Sequence, residues 1–153
     1  MGVPVLVEVL ESGQNANLQV CRKIMALLIK QKIAPLPFAT NIDEVAGVLH
    51  NLKDKGLSPA IFIINTYWAE EVLRDLDAMV GDTPILLLHR QIYAGMNGEN
   101  GTLTLPFQDM DSRQIAICRY GAKTTDSLAE RVAAQVQIFL KGGDFHQIAL
   151  LGR

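Results

Sequence analysis

The sequence predicts an α/β domain built on one parallel, five-stranded sheet, and three features of the chain predict it. Short apolar runs rich in Val and Ile recur five times within 153 residues. Stretches with apolar residues at helical spacing separate those runs. The runs are apolar throughout rather than alternating, which is how strands read when a sheet is covered on both faces. Strands that alternate with helices connect by right-handed crossovers, and this length and strand count suit the order 2-1-3-4-5.

The first run, Val3 to Leu10, is β-branched and nearly continuous, a buried strand. Ser12-Gly13-Gln14-Asn15 is a loop that can start a helix, whose stripe is Leu18, Cys21, Met25, Leu28 and Ile29. Pro35 and Pro37 bracket a short second strand at 34–39, placed near an edge because proline gives no hydrogen to a ladder. Asn41 with an acid at Glu44 is a helix start, and Ile42, Val45, Leu49 and Leu52 form that helix's stripe before Gly56 ends it. Ala60 to Ile64 is the third strand. Val72, Leu76, Met79 and Val80 mark a third helix, ended by Gly81, and Ile85 to Leu88 a fourth strand.

The alternation then breaks. Residues 91–112 hold Asn97-Gly98, Asn100-Gly101 and the alternating run Thr102 to Leu105, so a loop or small hairpin replaces the fourth crossover helix. Gln114 to Cys118 is the fifth strand. Ser127-Leu128-Ala129-Glu130 has the form of a capping box, followed by the stripe Leu128, Val132, Val136, Phe139 and Leu140. Gly142-Gly143 stops that helix, and Asp144 can cap a short last one carrying Phe145, Ile148 and Leu151. The expected organisation is a domain at 1–141 and a helical tail at 142–153.

Composition narrows the function classes. With 49% hydrophobic and 20% charged residues the chain can bury a real core. Fourteen basic against 16 acidic residues give a formal charge of −2, so a global basic field for nucleic acid is absent. Mean hydropathy is +0.19, yet no apolar run approaches the roughly 20 residues of a membrane span. Residues 1–10 lack a basic leader segment, and Cys21 and Cys118 are too few for a disulfide scaffold or metal cage; both read as small hydrophobes. The expectation is a cytoplasmic protein with reduced thiols, no metal and no cofactor. His50, His89 and His146 are scattered without metal-ligand spacing. Walker loops, nucleophile elbows and complete dinucleotide fingerprints are missing from the sequence.

In a flavodoxin-like sheet of order 2-1-3-4-5, ligands meet the carboxyl ends of the strands where strands 1 and 3 part. The residues that fall there are Glu8 and Glu11 to Asn15 after strand 1, and Asn65 to Trp68 after strand 3. His89, Arg90, Gln91 and Tyr93 follow strand 4, and Arg119 to Lys123 follow strand 5. In this element order, over residues 1–141, the chain resembles response-regulator receiver domains. A receiver carries a phosphoryl-accepting aspartate at the end of strand 3. It also has acids after strand 1 that hold Mg²⁺, a Ser or Thr after strand 4 and a lysine after strand 5. Here the acceptor position falls on Asn65, or on Thr66 after a one-residue slip. The acidic pair aligns with Val9 and Leu10, just before Glu11; His89 or Arg90 stands in place of the hydroxyl; Lys123 alone can pass as the lysine. A neutral amide cannot be the carboxylate nucleophile of an aspartyl phosphate. The resemblance therefore implies a pseudo-receiver. Leu10-Glu11-Ser12 and Leu18-Gln19-Val20-Cys21 are similar to the start of the pseudo-receivers found in cyanobacterial clock proteins.

What the resemblance implies is a non-catalytic signalling module that contacts another protein or a second copy of itself, and neither nucleic acid nor membrane. The expected surface is the strand 4–strand 5 side, with Met96, Leu103, Leu105, Phe107 and Met110, and the tail stripe Phe145 and Ile148. For both groups packing onto the domain itself stands as the alternative. A second expectation is a flavin or nucleotide site: Ser12, Gly13, Gln14 and Asn15 cradling a phosphate at a helix start, with Trp68 and Tyr93 flanking a ring. Arg113, Arg119 and Lys123 form a basic group that serves equally as an anion site or a solvated face.

Overall fold

The computed structural model describes residues 2–9, 20–66, 69–90, 114–121 and 124–152. Its sheet is parallel throughout, in the order β2-β1-β3-β4-β5, as in flavodoxin-like folds. The strands are β1 (Gly2–Val9), β2 (Phe38–Ala39), β3 (Ser58–Thr66), β4 (Ile85–Arg90) and β5 (Ile115–Tyr120). The helices are α1 (Val20–Lys30), α2 (Ile42–Asp54), α3 (Ala69–Val80), α4 (Thr125–Leu140) and α5 (Phe145–Ala149), followed by a 3₁₀ turn at Leu150–Gly152.

Side-chain alternation along the strands sends two cores to opposite faces. Leu6, Ile61, Ile63, Leu86, Leu88, Ala116 and Cys118 pack with α1, α4 and α5. Val5, Val7, Phe62, Ile64, Ile85 and Leu87 pack with α2 and α3. The middle strands are buried on both sides, which is why they read as unbroken apolar runs.

Pro4 lies in β1, which has neighbours on both sides. It is tolerated because β2 meets β1 only at Leu6 and Val7, and because the β1–β3 register shifts between Val3 and Pro4. The second strand is shorter than the 34–39 expected. Pro35 and Pro37 have no N–H, so the ladder starts only at Phe38, although the Pro37 carbonyl still accepts from Leu6 N.

The ends of α2 follow its sequence signals. Asn41 Oδ1 accepts from Glu44 N at 3.0 Å, and the Glu44 carboxylate accepts from Thr40 N at 2.9 Å. At the other end Leu57 N donates to Leu52 O and Gly56 N to Lys53 O, a Schellman motif that needs the positive φ of Gly56. Two expectations differ. Ile29 is 60% exposed, and the buried stripe of α1 is Val20, Cys21, Ile24 and Leu28. The α4 helix starts at Thr125, ahead of the Ser127 box: Ser127 Oγ donates back to Thr124 O, and burial of Thr125 and Leu128 draws the preceding turn into the helix.

The tail packs on its own domain. Phe145 and Ile148 belong to the α1/α4 core, Phe145 stands edge-on to Phe139, and the Cys118 thiol donates to Leu151 O. Residues 91–113 lie outside the described residues, and with them the expected loop and its apolar side chains.

Candidate functional site

Four strands carry a polar or charged residue at or next to their carboxyl ends, on the same face of the sheet. Glu8 follows Leu6 by two positions, Asn65 follows Ile63, Arg90 follows Leu88, and Tyr120 follows Cys118. All therefore share the α1 side. Register places Glu8 beside Asn65, and Arg90 beside Tyr120. All four are buried, with Asn65 fully so.

Buried polar groups must find partners, and this row finds them mostly within itself. Glu8 Oε2 accepts from Asn65 Nδ2 and from Cys21 N in the first turn of α1, each at 2.9 Å. The Tyr120 hydroxyl donates to Asn65 Oδ1. Asn65 thus uses its amide as a relay, giving hydrogens to the carboxylate and receiving one from the phenol. The chain of bonds ties β1, β3 and β5 together at the carboxyl end of the sheet, with α1 docked on the same carboxylate. Arg22 Nε lies 3.8 Å from Glu8 Oε1, and its guanidinium covers the Phe38 ring at 5.2 Å.

Burial sets the protonation behaviour of the row. It pushes the Glu8 carboxyl above its ordinary range, against the lowering pull of Asn65, Cys21 N–H and Arg22. It also raises the Tyr120 phenol and, strongly, the Cys21 thiol. Cys21 Sγ–H points to the carbonyls of Val7 and Ile63, as a packed hydrophobe with a weak donor does. Cys118 is raised by burial as well.

The opposite face carries a separate set. Thr66 pairs in register with His89, and His89 with Arg119. Thr66 and His89 are buried and belong to the α2/α3 side. The residues expected to line one pocket are thus divided: Asn65 lies on one face, Thr66 and His89 on the other. Glu11 and Lys123, the expected remainder of that pocket, fall outside the described residues. So do Ser12, Gly13, Asn15, Trp68 and Tyr93 of the expected ligand site, and Met96, Leu103, Leu105 and Phe107 of the expected surface. Phe145 and Ile148 are corrected. They are 7% and 0% exposed, packed against α4 and β5, so they form core rather than interaction surface.

Glu8 and Tyr120 were reachable from sequence. Each interrupts an apolar alternation at the end of a strand, and a polar residue on the core side of a strand must have a partner. Their connection through Asn65 depends on strand order and was not legible.

Among the described residues no group of three or more His, Cys, Asp or Glu side chains is placed to hold a metal ion, and no helix is long and apolar enough to cross a membrane. A groove of about 270 Å³ runs between Pro35–Pro37 and Val48, Asn51, Leu52 and Lys55 of α2, and none of the expected site residues lines it. Comparison of the chain with family models, curated proteins and solved structures returns no match.

Proposed function

We propose that this chain is a pseudo-receiver: a non-catalytic signalling module that binds another protein, or a second copy of itself, without accepting a phosphoryl group. The observation that carries this is Asn65. Near the end of β3 it falls where the resemblance to receivers puts the acceptor aspartate, and its amide is buried and hydrogen-bonded on both sides. A neutral amide has no carboxylate to offer. Glu8, beside it in the ladder, accepts from Asn65 and from the α1 backbone through Oε2, while Oε1 faces Arg22.

The β4–β5 side supports the interaction part of the proposal. β5 is a sheet edge, and its α3-side residues Ile115 and Ile117 remain half-buried where the inner strands are closed. Half-buried apolar positions beside a sheet edge are suited to receiving a partner chain. A cytoplasmic location with a dimeric or hetero-oligomeric state belongs to the same proposal.

The test is incubation with acetyl phosphate and Mg²⁺ followed by intact mass spectrometry, with native mass spectrometry of the fresh protein beside it. The expected result is an unmodified chain, flying bare as a monomer or dimer. A covalent phosphate overturns the proposal. A retained flavin mass replaces it with the small-ligand alternative.

A further inference from the structure

Arg90 is the one charge in the polar row that its neighbours leave incomplete. It closes β4, is 5% exposed, and sits beside Tyr120 in the ladder. Its Nη1 is buried and has no hydrogen-bond partner among the described residues. A guanidinium presents five N–H donors and no acceptor, and a donor left buried without a partner is costly. Buried, unpartnered donors of this kind are rare, and rarer on a permanent ion.

The row does not supply the missing acceptor. Glu8 attracts Arg90 electrostatically but forms its close contacts with Asn65, Cys21 N–H and Arg22 instead. Asn65 Oδ1 is taken by Tyr120. Among the described residues of this row, Arg22 and Arg90 both act electrostatically on one carboxylate, Glu8.

We propose that Arg90 is the recognition point of a small oxyanion, a carboxylate or phosphoryl group, held reversibly at the carboxyl ends of β4 and β5. A guanidinium N–H is matched by an anionic oxygen in geometry and charge. The location is the carboxyl edge of the parallel sheet, on β4 next to β3 and on the same face as Glu8 and Asn65. The proposal does not rest on partner binding: a chain that forms no acyl phosphate can still hold an oxyanion by hydrogen bonds.

The experiment is a ¹H–¹⁵N titration of the wild-type protein with inorganic phosphate and, separately, acetate, against sodium chloride at equal ionic strength. The reporters are the Arg90 Nε–H, the Tyr120 amide and the Asn65 side-chain amide. A saturable shift is expected with at least one oxyanion and not with chloride. Phosphate alone identifies a phosphoryl ligand, acetate alone a carboxylate, and both the shared chemistry. Arg90→Gln, with its remaining spectrum unchanged, is expected to weaken binding about tenfold or more. No saturable shift in the wild type overturns the proposal even if the variant does not fold, and so does equal binding by Arg90→Gln. Covalent phosphate detected by mass bears on the pseudo-receiver proposal alone, so the two can fail separately.

Discussion

Replacing Asn65 by Asp places a carboxylate near the end of β3 and puts the Glu8–Asn65–Tyr120 relay to its sharpest test. The Tyr120 hydroxyl can still donate to an Asp oxygen. The bond to Glu8 cannot survive unchanged, because Asn65 Nδ2 donates to Glu8 Oε2 at 2.9 Å and Asp has no such hydrogen. Two carboxylates at that separation cannot both be ionised in a buried site, so the folded pair must share a proton. Drawing a proton onto an Asp of ordinary pKa at pH 7 costs at most about 4 kcal/mol. Glu8 is already raised by burial, which meets part of that. The loss at pH 7 is therefore about 2–4 kcal/mol, or a fall in Tm of roughly 5–15 °C for a chain of this size.

The pH dependence has a fixed sign. The folded variant binds one more proton than the unfolded chain, so its stability falls as pH rises through the folded pair's pKa. It is recovered on acidification by about 1.4 kcal/mol per pH unit until the unfolded carboxyls also protonate. Urea titrations of Asn65→Asp and wild type at pH 7 and pH 5 read this directly. A variant within about 0.5 kcal/mol of wild type at pH 7, or a deficit that does not shrink at pH 5, refutes the relay. Exposure of the same variant to acetyl phosphate and Mg²⁺ is expected to leave it unmodified, since Glu8 remains committed to α1.

Tyr120→Phe removes the hydroxyl and leaves Asn65 Oδ1 without its donor, so a loss of about 1–3 kcal/mol is expected in urea unfolding. Ile148→Ala is expected to cost about 2–5 kcal/mol because the side chain is fully buried against α4, whereas Ile29→Ala, at 60% exposure, stays within about 0.5 kcal/mol of wild type. Cys21 and Cys118 are buried with raised thiol pKa values, so a thiol reagent at pH 8 should label neither in the native protein and both in urea. Rapid native labelling of Cys21 would show that the first turn of α1 opens freely.

Periodicity and punctuation determined most of the architecture. The apolar runs at β1, β3, β4 and β5 could be read because burial on both faces leaves no polar alternation to confuse them. The stops at Gly56 and Gly81 could be read because a positive φ is a local property of the chain. Local signals failed where a tertiary contact outweighed them. Ser127 has the pattern of a cap, yet packing of Thr125 and Leu128 starts α4 earlier; Ile29 sits at helical spacing, yet α1 turns it to solvent.

The carboxyl end of the sheet divides the same way. The sequence by itself determined that no aspartate stands where β3 ends, because Asn65 is fixed by position in a legible strand. Only the tertiary structure decided what Asn65 does there. Glu8, Asn65, Arg90 and Tyr120 lie far apart along the chain and meet because parallel strands in the order β1-β3-β4-β5 carry their ends to one edge. That order also splits Asn65 from Thr66 and His89, because side chains one residue apart on a strand point to opposite faces. It likewise decided that Phe145 and Ile148, a stripe free to pack inward or outward, fill the α1/α4 core, since that face offered apolar surface to bury.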